Sequence, residues 1–193
     1  RQSLDYRSAE ISYAVFCLQK KNNRLLEEQG EIRMLHTADD LDRHWAEWQT
    51  DDRSGLPVGI ILAMEGADPI VSPRQADAWF RDGLRSVSLA HYGMSRYAAG
   101  TSASGGLTPA GVRLLEEFAR LGMILDVTHL ADEAFFEAID RFSGPVMASH
   151  NNCRELVPNQ RQFSDEQIRG LIGREAIVGV AMDAWMLYPD WKI

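Results

Sequence analysis

Met123-Ile-Leu-Asp-Val-Thr-His129 decides the fold, together with its echo Pro145-Val-Met-Ala-Ser-His150. Each is a short apolar run that reads as a buried strand, and each ends on a histidine. Between them, residues 131–141 carry apolar side chains at helical spacing. A strand, a helix and a second strand in that order place the two strands parallel. Both imidazoles then leave the sheet from the same end.

The pattern repeats on either side. Val58-Gly-Ile-Ile-Leu-Ala-Met64 reads as a strand buried on both faces, as parallel strands are, and ends in Glu65-Gly66. Leu84-Arg-Ser-Val-Ser-Leu-Ala90 ends in His91, and Ala176-Ile-Val-Gly-Val-Ala-Met182 ends at Asp183. Helices are expected between these strands. Ser72-Pro73 with Gln75 opens one that Gly83 closes, and Thr108-Pro109 opens another that Gly122 closes. Ser164 caps a third through Ile168 and Leu171. The glycine- and serine-rich stretch from Tyr92 to Leu107 is a long loop, of a length that is usually functional or mobile.

Upstream, residues 4–21 have apolar side chains at roughly helical spacing. A second helix is expected from Thr37, with Asp40 three residues on in a capping-box arrangement, to about Gln49. Residues 51–57 form a loop rich in turn formers. His36 and His44 belong with the second helix, in solvated or packing roles.

Four strand–helix–strand steps in a row argue for a parallel α/β sheet. No glycine-rich phosphate fingerprint follows any strand, which disfavours a nucleotide-binding doubly wound sheet. The expected fold is a (β/α)8 TIM-type barrel of the metal-dependent hydrolase type, incomplete in this chain. Such barrels usually need about 250 residues, against 193 and five clear strands here. The reading is one partial barrel domain over 1–193, with a mainly helical lead-in over 1–57 and strand–helix units over 58–193.

Net charge is −8 and the pI about 5.1, which argues against nucleic acid or an anionic membrane surface as partner. No apolar run reaches the length of a membrane span. Two cysteines, Cys17 and Cys153, make no disulfide framework. The first residue is Arg1, which fits a numbering that begins inside a longer chain. The compartment is left open, with the cytoplasm slightly favoured, and so is homo-oligomerisation.

Histidine and glutamate at the same end of neighbouring parallel strands could hold Zn2+ or a similar metal. A glutamate whose two oxygens reach different ions would bridge a pair. A carbamylated lysine is the usual alternative bridge, but the lysines here are Lys20, Lys21 and Lys192, none at a strand tip, so Glu65 is the bridge candidate. A lone strand-end histidine is more often a hydrogen-bonded core residue; His129 and His150 on consecutive strands shift that balance towards metal. His91 could be a substrate contact, a ligand or a core group. Asp183 reads as a loop cap, and Asp126 as either a structural hydrogen-bond acceptor or an orienting partner of a ligand.

The ordered series Met64-Glu65-Gly66, Leu89-Ala-His91, Gly106-Leu-Thr-Pro-Ala-Gly111, Leu121-Gly-Met-Ile-Leu-Asp-Val-Thr-His129 and Ala148-Ser-His150 resembles the membrane (renal-type) dipeptidase family. Those are binuclear zinc metallopeptidases on an amidohydrolase-like barrel. Arg161-Gln-Phe-Ser-Asp165 is similar to that family's Arg-Asn-x-x-Asp element. The resemblance implies Glu65 as bridging ligand, His129 and His150 as ligands of one metal, and two Zn2+ per active site in a complete chain. It implies His91 facing the scissile carbonyl and Arg161 holding the substrate's terminal carboxylate. The implied activity is hydrolysis of short peptides by a metal-bridging hydroxide, with tolerance of a D-residue on the C-terminal side.

Three departures stand out. The family's His-x-Asp pair occurs nowhere in the sequence, its late acidic residue is absent, and Ser95 stands where the family usually has asparagine. The first two fit truncation at both ends; for the 193 residues alone, a crippled metal site with little or no peptidase activity is expected. Two further readings stay open: a related amidohydrolase acting on another amide or lactone, and a non-catalytic barrel fragment.

Overall fold

The computed structural model describes residues 21–191. The helix expected over 4–21 lies outside them but for its last residue, and residues 21–28 are helical (α1). The described elements that follow are β1 (Ile32–Met34), α2 (Ala38–Trp48), β2 (Val58–Ile60), β3 (Leu62–Met64), α3 (Ala76–Arg81), β4 (Leu84–Ser88), α4 (Pro109–Leu121), β5 (Ile124–Asp126), α5 (Asp132–Arg141), β6 (Val146–Ala148), α6 (Asp165–Gly173), β7 (Ile177–Val178) and α7 (Ala184–Leu187).

The helices begin where local chemistry says they should. The Thr37 hydroxyl accepts from Asp40 N at 3.1 Å, and the Asp40 carboxylate accepts from Thr37 N at 2.9 Å. Ser164 and Gln167 form the same reciprocal box on α6. Thr108 caps α4, and Gly122 ends it in the left-handed region at φ 71. Each such cap satisfies backbone donors that a helix leaves open, and removing one costs about 1 kcal/mol. At Ser72 the expected cap is not made; a short 3-10 turn, Pro73–Gln75, leads into α3 instead.

Strands β3 to β7 form one five-stranded sheet in sequence order with every pairing parallel, and β1–β2 pair parallel beside it. This is an α/β arrangement of the TIM-barrel kind. Its strands do not close into a ring among the described residues. α4 and α5 bury Leu114, Leu115, Phe118, Ala134, Phe135 and Ala138 in the same core as Leu84, Val87, Leu125 and Val146 from the sheet.

Two strand expectations need correction. Val58–Met64 is not one buried strand: it breaks at Ile61, with β2 pairing to β1 and β3 to β4. The two neighbours are staggered along it, as barrel strands are, so no single register serves the whole run. None of its seven residues is fully buried, and Val58 and Ile61 are 52% and 42% exposed. Similarly, of Ala176–Met182 only Ile177–Val178 pair as a strand. Beyond them Gly179 turns to β6, donating to Ala148 O at 2.8 Å and accepting from Asn151 N at 2.8 Å. The sequence reading had no place for β1, which is only three residues long and carries a charged Arg33 paired with Glu47 at 2.8 Å.

The 92–107 loop is packed rather than loose. Tyr97, Ala98 and Ala99 are fully buried, the Tyr97 hydroxyl donates to Ile70 O, and the Leu107 amide donates to Glu137 Oε2 at 2.8 Å. Burial pushes the Tyr97 phenol up to about 12.

Candidate metal centre

Glu65 leaves the end of β3, His91 follows β4, His129 follows β5 and His150 follows β6. All four therefore stand at the C-terminal edge of the sheet, where barrel enzymes carry their chemistry. Glu65 Oε1 lies 3.0 Å from His129 Nε2, 3.3 Å from His150 Nε2 and 3.8 Å from His91 Nε2. One ligand atom from each of Glu65, His129 and His150 falls within 4.8 Å of the others. Four side chains singled out from strand tips thus meet in one basin.

The backbone is shaped for this meeting. Gly66 takes φ +82, a region open to glycine, and its amide donates to the Ser88 hydroxyl at 2.8 Å. A Cβ on Gly100 would come within 2.2 Å of His91 O, so only glycine lets the loop lie against the His91 backbone. His129 itself sits at φ +70, an uncommon conformation for a residue with a side chain. Strain of this kind gathers at functional sites, where surrounding bonds enforce it. Here the Thr101 hydroxyl meets His129 twice, at Nδ1 (3.0 Å) and at the carbonyl (3.3 Å).

That pair of contacts sets the tautomer. A Thr101 hydroxyl that donates to His129 O accepts from Nδ1–H, and in that tautomer Nε2 keeps a lone pair. His150 Nδ1 likewise lies 2.8 Å from the Ser149 hydroxyl, itself 3.3 Å from Thr128 Oγ1. Burial, then the charges of Arg161, His91 and His150, press the His129 pKa down to about 3. At neutral pH the His129–Glu65 contact is therefore no ion pair. In the tautomer whose Nδ1–H is turned to Thr101, the Nε2 lone pair faces the Glu65 carboxylate oxygen at 3.0 Å, the arrangement that suits a cation held by both. The donor set fits a hard or borderline divalent metal, Glu65, His129 and His150 being the residues able to hold it.

Asp126 lies one step back. Its Oδ1 accepts from Thr128 N at 3.0 Å and from Ser149 N at 3.1 Å, the residues just before the two histidines. Of the two roles open to it, the structure gives the structural hydrogen bonds. Arg161 is buried, 3% exposed; it donates to Asn151 Oδ1 at 2.9 Å and to His150 O at 2.8 Å, while Asn151 Nδ2 donates back to Arg161 O at 2.9 Å. Gln160 ties this segment to the long loop, accepting from Ser102 N at 2.7 Å and donating to Ala103 O at 2.9 Å. Ser95 braces that loop, donating to Leu89 O at 2.7 Å and accepting from Tyr97 N at 2.9 Å.

Asp183 stands at the start of α7 without a side-chain capping bond and outside the ligand cluster. His44 is buried on α2 beside Arg33 and Trp48, and His36 is exposed; both lie apart from the basin. A cavity of about 300 Å3 opens at the other end of the sheet, lined by Leu35, Ile61, Arg85, Ile124 and Pro145, and gathers no ligating cluster. The sequence reading missed Thr101, Ser149, Asn151 and Tyr92. Ser149 adjoins a histidine, but Thr101 reaches His129 across 28 residues and no spacing marks it.

The family profile described as membrane dipeptidase matches residues 18–190. An uncharacterised protein of Acinetobacter calcoaceticus is 30% identical over 149 residues, 72% of this chain and 47% of its own length. A dipeptidase of Claviceps purpurea is 29% identical over 164 residues, covering 82% of this chain and 37% of itself. Among solved structures, a metallopeptidase from Rhodobacter sphaeroides liganded with a phosphinate mimic of the dipeptide L-Ala-D-Ala superposes with a TM-score of 0.75, at 26% identity over 87% of this chain and 49% of its own. A dipeptidase described as a metallopeptidase gives 0.78, at 25% identity over 89% and 52%. The chain spans about half the length of the relatives it matches. No helix among the described residues is long and apolar enough to cross a membrane.

Proposed function

Since the chain belongs to the membrane dipeptidase family, a family of metal-dependent dipeptidases, we propose that it serves a zinc-dependent hydrolysis of short peptides. One observation carries this reading: a carboxylate and two imidazoles with their Nδ1 atoms engaged converge their remaining donor atoms within 4.8 Å.

Glu65 would be the bridging ligand and His129 and His150 would hold one ion, with two Zn2+ proposed per complete active site. A zinc ion held by these residues would supply Lewis acidity, activating water as the nucleophile near neutral pH. The residues of the chain do the rest. His91, half-exposed beside Glu65, donates towards the oxygen of the scissile carbonyl as charge develops on it. Arg161, fixed by Asn151 and the His150 carbonyl, keeps its other N–H groups for the terminal carboxylate of the substrate; a planar fork suits that partner better than lysine would. The ligand of the Rhodobacter sphaeroides structure, a mimic of L-Ala-D-Ala, makes that dipeptide the first substrate to try.

Among the described residues three ligand atoms gather, too few for two metals. That favours one alternative, a barrel segment that binds a single ion without turnover. Zinc stoichiometry with L-Ala-D-Ala hydrolysis separates them. The proposed reading expects hydrolysis that rises with added zinc and is abolished in Glu65→Gln with the circular dichroism unchanged. Full activity in Glu65→Gln would remove Glu65 from the chemistry, and one bound ion without hydrolysis would favour the alternative.

A further inference from the structure

Tyr92 follows His91 out of the same strand end. Its ring meets His91 edge-on, with 4.8 Å between centroids and 80° between planes, and meets His129 at 5.0 Å and 62°. The backbone around it is fixed: Thr101 N donates to His91 O at 3.0 Å, and Gly93 N to Thr101 O at 2.7 Å. Thr101 is also the residue that orients His129. Yet Tyr92 is 54% exposed. An aromatic ring left open beside a cluster of carboxylate and imidazole groups is the kind of surface that contacts a ligand.

Arg161 is tied to the same basin: it donates to His150 O at 2.8 Å, and the His150 ring lies 5.4 Å from that of His129. Burial lowers the pKa of that guanidinium, and Tyr92, Glu65, Asp126 and Asp183 oppose the fall. The Tyr92 ring therefore meets the histidine basin to which the buried arginine is also joined.

We propose that Tyr92 is a substrate-positioning residue, its ring forming the wall along which a dipeptide lies between the Glu65–His129–His150 basin and Arg161. This role rests on the function proposed above. The ring shields the peptide from water, which strengthens the polar contacts at both ends. It is the aromatic face that matters, so phenylalanine should replace it.

The test uses the full chain loaded with zinc, as wild type, Tyr92→Ala and Tyr92→Phe, with L-Ala-D-Ala as titrant in a calorimeter and zinc affinity measured separately for each. Tyr92→Ala should weaken dipeptide binding roughly tenfold. Tyr92→Phe should restore it, and zinc affinity should agree across all three within about twofold. Unchanged dipeptide binding in Tyr92→Ala overturns the proposal and leaves the function standing. A parallel fall in zinc affinity also overturns it, marking Tyr92 as a prop for His129. No dipeptide binding by the zinc-loaded wild type overturns the function and this role together.

Discussion

His129 concentrates the physical argument of the site in one residue: buried, neutral, left-handed in its backbone and fixed at Nδ1 by Thr101. Its depressed pKa has a measurable sign. In the unfolded chain the imidazole takes up a proton below about 6.5, whereas the fold refuses that proton until about pH 3, because of burial first and then Arg161, His91 and His150. The unfolded state therefore binds more protons between those values, and stability falls as pH drops from about 6.5 towards 3, with no contribution above that window. Urea midpoints of the zinc-free protein at pH 7, 5 and 4 should decline, and His129→Asn should flatten the decline. An equally steep slope in the variant would place the effect elsewhere. The histidine itself was legible in the sequence because a strand tip is a local feature. Its conformation and its hydroxyl partner were not, since both depend on a loop folded back across the sheet.

At the scale of elements, the Asp126 clasp joins the ends of β5 and β6 through two backbone amides. Asp126→Ala leaves both donors without their acceptor and should cost about 2–3 kcal/mol, read as a lower urea midpoint, together with weaker binding of a divalent metal as the two histidines drift apart. Asp126→Asn keeps an acceptor oxygen and should recover most of both. Equal losses in the two variants would mean that charge, not the clasp, is what matters. α2, α4 and α6 announce themselves through caps three or four residues long. Strand limits are set by partners distant in the chain: Ile61 looks like its neighbours in sequence, and only the stagger of β1 against β4 breaks the run there. Order and direction were readable from the alternation of strand and helix, but lengths were not.

For the molecule as a whole, the parallel sheet explains why residues as far apart in sequence as Glu65 and His150 share one basin: every crossover returns the chain to the same starting edge, so every strand delivers its last residue to the same rim. The sequence holds three lysines in all, and the site draws its positive charge from arginine. β7 pairs with β6 alone among the described strands, and Ile177, Val180 and Met182 are 75%, 66% and 78% exposed. An exposed apolar stretch beginning at the open edge of β7 invites other chains to add to it. Concentrated solutions of this polypeptide should turn cloudy on standing, with light scattering rising with concentration. Ile177→Lys should keep them clear, by setting a charge on a ladder that would otherwise template its own growth.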